Sequence, residues 1–143
     1  NDNINTHIVI PSNVTYNSTE YTVTQIADNG FCNLHNLKGV TIPNTITKIG
    51  KNAFQNTGNN NISTPFVVEM GDSVAEIGDS AFWKCENLES IYVSDPMPTI
   101  MVEDVCGCKN LKTLHIEGKG EYTVSLENKE RWKSLERCII DVV

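Results

Sequence analysis

The sequence predicts an α/β fold that is mostly β: a right-handed solenoid of short repeats with a short parallel sheet, an N-terminal hairpin cap and a C-terminal helical cap. Three observations predict it. A nine-residue segment recurs along the chain, and an apolar triplet follows each copy. The composition is rich in Asn, Thr, Ile and Val and poor in Ala, which favours strands and turns over long helices.

The recurrent segment is clearest in Ile46-Thr-Lys-Ile-Gly-Lys-Asn-Ala-Phe54 and Val74-Ala-Glu-Ile-Gly-Asp-Ser-Ala-Phe82. Val23-Thr-Gln-Ile-Ala-Asp-Asn-Gly-Phe31 has the same skeleton, with Ala27 for the first Gly and Gly30 for the Ala. Ile26, Ile49, Ile77 and Ile100 are separated by 23, 28 and 23 residues, and Phe31, Phe54, Phe82 and Val105 repeat that series. The five extra residues belong to the polar stretch Gly58 to Thr64, which has loop composition and is expected to bulge from one face.

The triplet reads Leu37, Val40, Ile42; then Leu88, Ile91, Val93; then Leu111, Leu114, Ile116. In the inserted unit Val68 and Met70 fill the last two slots and Pro65 the first. Ile8 and Ile10 begin the series, and Leu135, Cys138 and Ile140 add a further copy, which gives six short rungs. One short parallel strand per unit is the leucine-rich-repeat pattern. With Ile42-Pro43, Gly50, Ala53-Phe54, Gly78, Ala81-Phe82 and Cys85, the unit closely resembles the BspA-type leucine-rich repeat. The opening Ile10 to Ile26 resembles that family's first hairpin, and the closing Arg131 to Ile140 its Trp-containing cap. The fourth unit departs from the pattern, with Met101, Asp104 and Val105 where Gly, Ala and Phe are usual. Leu34 and Thr57 stand where Cys is usual. The resemblance implies an exported, cell-surface protein with a role in adhesion or host interaction.

A single unit cannot bury its own apolar face and needs neighbours. Stacked units place equivalent residues about 4.8 Å apart, the strand spacing of a sheet. Phe31, Phe54 and Phe82 should then form an internal column. Ile42, Met70, Val93, Ile116 and Ile140 should form another within one parallel sheet. Gly50 and Gly78 are expected to allow a tight turn. The whole of 1–143 reads as one domain: a cap over about 1–22, repeats over about 23–118 and a second cap over about 119–143. The first cap is a hairpin turning around Asn17-Ser18. The second is a short helix with Ser125 as its N-cap, burying Trp132 and Leu135 on one face. Two covered ends would make the domain complete as it stands.

Eleven Lys and Arg against 18 Asp and Glu give a formal net charge of -7. This argues against nucleic acid, whose affinity comes mainly from phosphate neutralisation, and against anionic membrane surfaces. No apolar run reaches the roughly 20 residues of a membrane-spanning helix, and the polar start Asn1 to Asn5 is not a signal peptide. Direct membrane insertion of this chain is therefore not expected.

Five cysteines, an odd number, preclude complete pairing within the chain. Cys85 and Cys108 share one slot in adjacent units, within reach of a disulfide. Parallel side chains on neighbouring rungs suit two small buried hydrophobes better. Cys106-Gly-Cys108 lacks the second Cys or His pair of a structural zinc site, so no metal is expected. Cys106 could be exposed and reactive, and Cys138 reads as structural. His7, His35 and His115 assemble no nucleophile, base and orienter. Gly118-Lys119-Gly120 lacks the rest of a phosphate loop. Neither catalysis nor a cofactor is expected. Asn13-Val-Thr, Asn17-Ser-Thr and Asn61-Ile-Ser are glycosylation sequons, which chance explains in an Asn- and Thr-rich chain.

Strand alternation sends two positions of each rung outward. One row reads His7, Gly39, Val67, Ser90, Thr113, Arg137; the other reads Val9, Thr41, Glu69, Tyr92, His115, Ile139. These make either an ordinary solvated sheet face or a ligand patch. The candidate ligand-binding residues are Glu69, Tyr92 and His115, with Val67, Ser90 and Thr113 beside them. Aromatic enrichment at interface centres favours Tyr92 among them. The expected function is that of a non-catalytic binding module of a surface or secreted protein. It would present a concave sheet face to a host or cell-surface protein or glycan. The alternative is a structural spacer or assembly unit of a larger cell-surface protein.

Overall fold

The fold was analysed in a computed structural model, which describes residues 6–60, 65–93, 105, 107–111, 113–116 and 120–123. Eleven short strands organise them: β1 (His7–Val9), β2 (Asn13–Tyr16), β3 (Thr19–Thr22), β4 (Gln25–Ile26), β5 (Gly39–Thr41), β6 (Lys48–Ile49), β7 (Phe66–Glu69), β8 (Glu76–Ile77), β9 (Leu88–Val93), β10 (Thr113–Ile116) and β11 (Gly120–Thr123). Among the described residues there is no α-helix, so the architecture is mostly β. The helix expected from Ser125 through Trp132 to Leu135 lies outside them, as do Cys106, Cys138 and Ile140.

Each repeat contributes two rungs to two different sheets. The triplet forms the six-stranded sheet β1-β5-β7-β9-β10-β11, and the Ile of each nine-residue segment forms the three-stranded sheet β4-β6-β8. All pairs from β1 to β10 are parallel, as are β4-β6-β8. Between the sheets lies one apolar core. Val40, Val68 and Ile91 fill its central row, while Ile10, Ile42, Met70 and Val93 fill another. In backbone register, Ile116 of β10 pairs with Val93. Phe31, Phe54 and Phe82 stack with ring centroids 5.3 and 5.4 Å apart and planes within 5° of parallel. The expected aromatic column is therefore present, and it follows from equal rotamers on equally spaced coils.

Gly50 and Gly78 open tight turns, their carbonyls accepting from the Ala53 and Ala81 N–H groups, with no left-handed backbone of their own. A Cβ on Gly50 would lie 2.5 Å from the Asp28 backbone nitrogen, and one on Gly78 2.5 Å from that of Lys51. Glycine is needed there because successive coils touch backbone to backbone. Ala27 holds this slot in the first unit, where it is exposed. The positive-φ positions are instead Asn29, Asn52 and Ser80, and then Asn33, Asn56, Lys84 and Gly107. Asn tolerates that conformation better than most residues, which accounts for part of the chain's Asn content.

The Cys slot is a hydrogen-bonding slot. Cys85 Sγ donates to the Phe54 carbonyl at 2.8 Å, and Cys108 Sγ to the Phe82 carbonyl at 3.1 Å. Thr57, at the same position one unit earlier, donates its hydroxyl to the Phe31 carbonyl at 2.7 Å. Cys32, Cys85 and Cys108 are free thiols. Cys85 and Cys108 are thus small buried side chains, and each also ties its coil to the preceding one.

Two expectations are corrected. Phe66, not Pro65, fills the first triplet slot of the inserted unit: it pairs with Leu88 and is fully buried, and a bulge follows it. The start of the insertion, Gly58 to Asn60, is tied to both neighbouring units, and the rest of it, 61–64, lies outside the described residues. Gly58 and Asn60 donate their backbone N–H groups to the Leu34 and His35 carbonyls of the preceding unit. Asn59 reaches the following unit, donating to the Lys84 carbonyl and accepting from the Glu86 N–H, both at 2.9 Å. Finally, no sixth parallel rung flanks β10. Its second edge is taken by β11, which returns antiparallel with Ile116 opposite Gly120 and Thr113 opposite Thr123.

At the opposite end, β2 and β3 pair antiparallel, and Asn17 and Ser18 both take positive φ. Two consecutive left-handed residues match the twist of a two-residue hairpin. The ribbon is solvent-exposed throughout, with Val14, Tyr16 and Tyr21 uncovered. It joins the coil through the Val23 N–H, which donates to the Ser12 carbonyl.

Candidate functional site

The outward face of the six-stranded sheet brings the candidate residues together. Val67 and Glu69 lie on β7, Ser90 and Tyr92 on β9, and Thr113 and His115 on β10. Register pairs Val67 with Ser90 and Thr113, and Glu69 with Tyr92 and His115. The alternation that buries Val68, Ile91 and Val93 leaves Glu69 exposed and Tyr92 41% exposed. Val67 and Ser90 are half-buried. All six residues therefore occupy three adjacent strands.

Two further residues complete the face, and sequence reasoning does not place them in the site. The Thr41 hydroxyl donates to Glu69 Oε2 at 2.8 Å, and it lies 2.7 Å from His7 Nε2. The single hydroxyl proton is committed to the carboxylate, so His7 Nε2 carries the proton of the second bond and donates to Thr41. The result is a polar line across β1, β5 and β7 that ends on a carboxylate beside Tyr92. Gly39 makes room for it: a Cβ there would lie 2.5 Å from His7 Nδ1. The rows of strand residues were legible in the sequence, but hydrogen bonds between side chains were not.

The antiparallel return of β11 changes the neighbours of His115 and Thr113. Glu121 stands opposite His115 and Thr123 opposite Thr113, where the repeat pattern predicts Ile139 and Arg137. Among the described residues, the two outward rows contain Glu69 but no Lys or Arg. Lys48 and Lys109 lie elsewhere, paired with Glu76 and Glu86. No group of three or more His, Cys, Asp or Glu is placed to hold a metal among the described residues. Nor is any helix there long and apolar enough to cross a membrane.

Parallel strands of one register, an aromatic column and a carbonyl-binding Cys/Thr column define a leucine-rich-repeat protein. The comparisons narrow the class. The model of the BspA type leucine-rich repeat region matches six copies over residues 3–125, and the chain belongs to that family. A leucine-rich repeat protein from Bacteroides capillosus is similar in structure, with a TM-score of 0.60 and 27% identity over 78% of this chain and 77% of its own. A leucine rich cell surface protein from Faecalibacterium prausnitzii shares the fold with a TM-score of 0.50 and 21% identity, over 79% of this chain and 32% of its own. No curated protein matches the chain.

Proposed function

We propose that the chain is a non-catalytic binding module, and that the outward face of the six-stranded sheet receives a protein or glycan partner at the cell surface. The observation that carries this is the Glu69–Tyr92 pair. A partly exposed aromatic ring lies one rung from a carboxylate that Thr41 already holds in place. Tyrosine offers a flat apolar surface with one polar tip, and orienting neighbours lower the cost of ordering on binding. Residues 1–143 act as one unit in this reading, and a concave sheet supplies the receiving surface. Support for a surface location comes from the family and from the description of the F. prausnitzii protein.

The test is a binding screen of the purified chain against extracellular-matrix proteins and glycans, run beside Tyr92→Ala. A partner captured by the parent should bind the variant about 30-fold more weakly, the consequence of a hot-spot loss of about 2 kcal/mol. Equal capture by both would remove this face as the site. A second reading, as a spacer or assembly unit, is favoured by a separate observation. Val9, Val14, Tyr16 and Tyr21, four of the five exposed large hydrophobics among the described residues, lie near the first coil. Sedimentation would separate the two readings, because a spacer that assembles through its ends should gain mass with concentration.

A further inference from the structure

We infer that the partner presents a cationic side chain, arginine above all, to the Glu69–Tyr92 pair. This deepens the proposed binding role and rests on it. Among the described residues, the face carries the Glu69 carboxylate and no Lys or Arg. Each outward row crosses six strands, and among the described residues neither contains Lys or Arg. Basic side chains of the described residues sit instead on turns, on β6 and, at Lys38, just before β5, and Lys48 and Lys109 are matched by Glu76 and Glu86. Glu69 has no such match. Its described contact is the Thr41 hydroxyl, a neutral donor at 2.8 Å that fixes one oxygen and leaves the charge uncompensated.

Geometry adds to charge. Adjacent rungs stand about 4.8 Å apart, and a cation held over a tyrosine ring lies within about 6 Å of its centre. A cation seated on Tyr92 is therefore within reach of the Glu69 carboxylate. A guanidinium suits both neighbours, since it stacks on aromatic faces and donates two parallel hydrogen bonds to a carboxylate. A neutral sugar would use the ring but would gain nothing from the unmatched charge. An anionic glycan would be repelled by it.

The probe is a fluorescein-labelled hexa-arginine peptide, titrated by anisotropy at physiological ionic strength. Charges more than about 8 Å apart are then largely screened. Four proteins are compared: the parent, Glu69→Gln, Tyr92→Leu, and Glu20→Gln on the exposed hairpin. Melting curves confirm that each is folded. Glu69→Gln and Tyr92→Leu should each weaken binding on the order of fivefold or more, the scale of one exposed cation–π or charge-assisted contact. Glu20→Gln removes the same charge and should stay within about twofold, as expected for a charge remote from the site. Equal weakening by Glu20→Gln and Glu69→Gln would reduce the attraction to net charge and overturn the inference, as would an absence of saturable binding. The broader reading fails separately. A matrix protein or glycan captured through Tyr92 but indifferent to Glu69→Gln would leave the binding face standing and remove only its cationic ligand.

Discussion

Thr57, Cys85 and Cys108 differ chemically, yet each donates a hydrogen bond to the aromatic residue's carbonyl in the coil before it. A short side chain with one donor is what the slot requires, because a carbonyl turned into a packed interior needs a donor from the protein. Thr57→Val keeps the shape and removes the donor. It should cost about 1–3 kcal/mol in chemical denaturation, the usual penalty for stranding a buried acceptor. Cys85→Thr should be milder than Cys85→Val, since a hydroxyl already serves at Thr57. The same geometry keeps the thiols apart from one another, each turned to its own carbonyl. Thiol titration in denaturant without reductant should therefore find all five cysteines free, whereas a count of three would mean one bridge. Gly50 obeys a second local rule. Gly50→Ala drives a methyl into the Ala27–Asp28 backbone and should cost about 1–3 kcal/mol, as overpacking does. The exposed Ala27 shows that the same methyl is harmless where no coil precedes it.

The aromatic column was legible from spacing alone, because intervals of 23 and 28 residues both return the chain to the same point of the coil. Phe54 is fully buried and sandwiched between Phe31 and Phe82. Phe54→Ala should cost about 3–5 kcal/mol and lower the whole denaturation curve, since each coil leans on the next. A loss below about 1 kcal/mol would place that ring at the surface. The outward rows were equally legible, because register follows from which residues are buried. The features that spacing could not reveal have physical reasons. Phe66 takes the slot assigned to Pro65 through a bulge, and a bulge breaks the count of alternation. The antiparallel return of β11 lies in a segment with none of the repeat's periodicity. Tight turns do open at Gly50 and Gly78, but their left-handed residues are Asn52 and Ser80, and the close backbone approach that excludes a side chain cannot be told from a turn in a bare sequence.

Taken whole, the molecule divides its residues by direction. Side chains turned between the two sheets carry stability, and those turned outward from the six-stranded sheet are free of that duty. The site was half legible for this reason: alternation marked Glu69, Tyr92 and His115, but the His7–Thr41–Glu69 line depends on side-chain geometry. Stability and binding should accordingly be separable. Tyr92→Ala measured twice, once by denaturation and once against any partner the parent captures, tests this most directly. The expected result is a stability change within about 0.5 kcal/mol, as for ordinary surface substitutions, with binding weakened about 30-fold. A variant that loses several kcal/mol of stability, or one that binds as the parent does, would contradict the account.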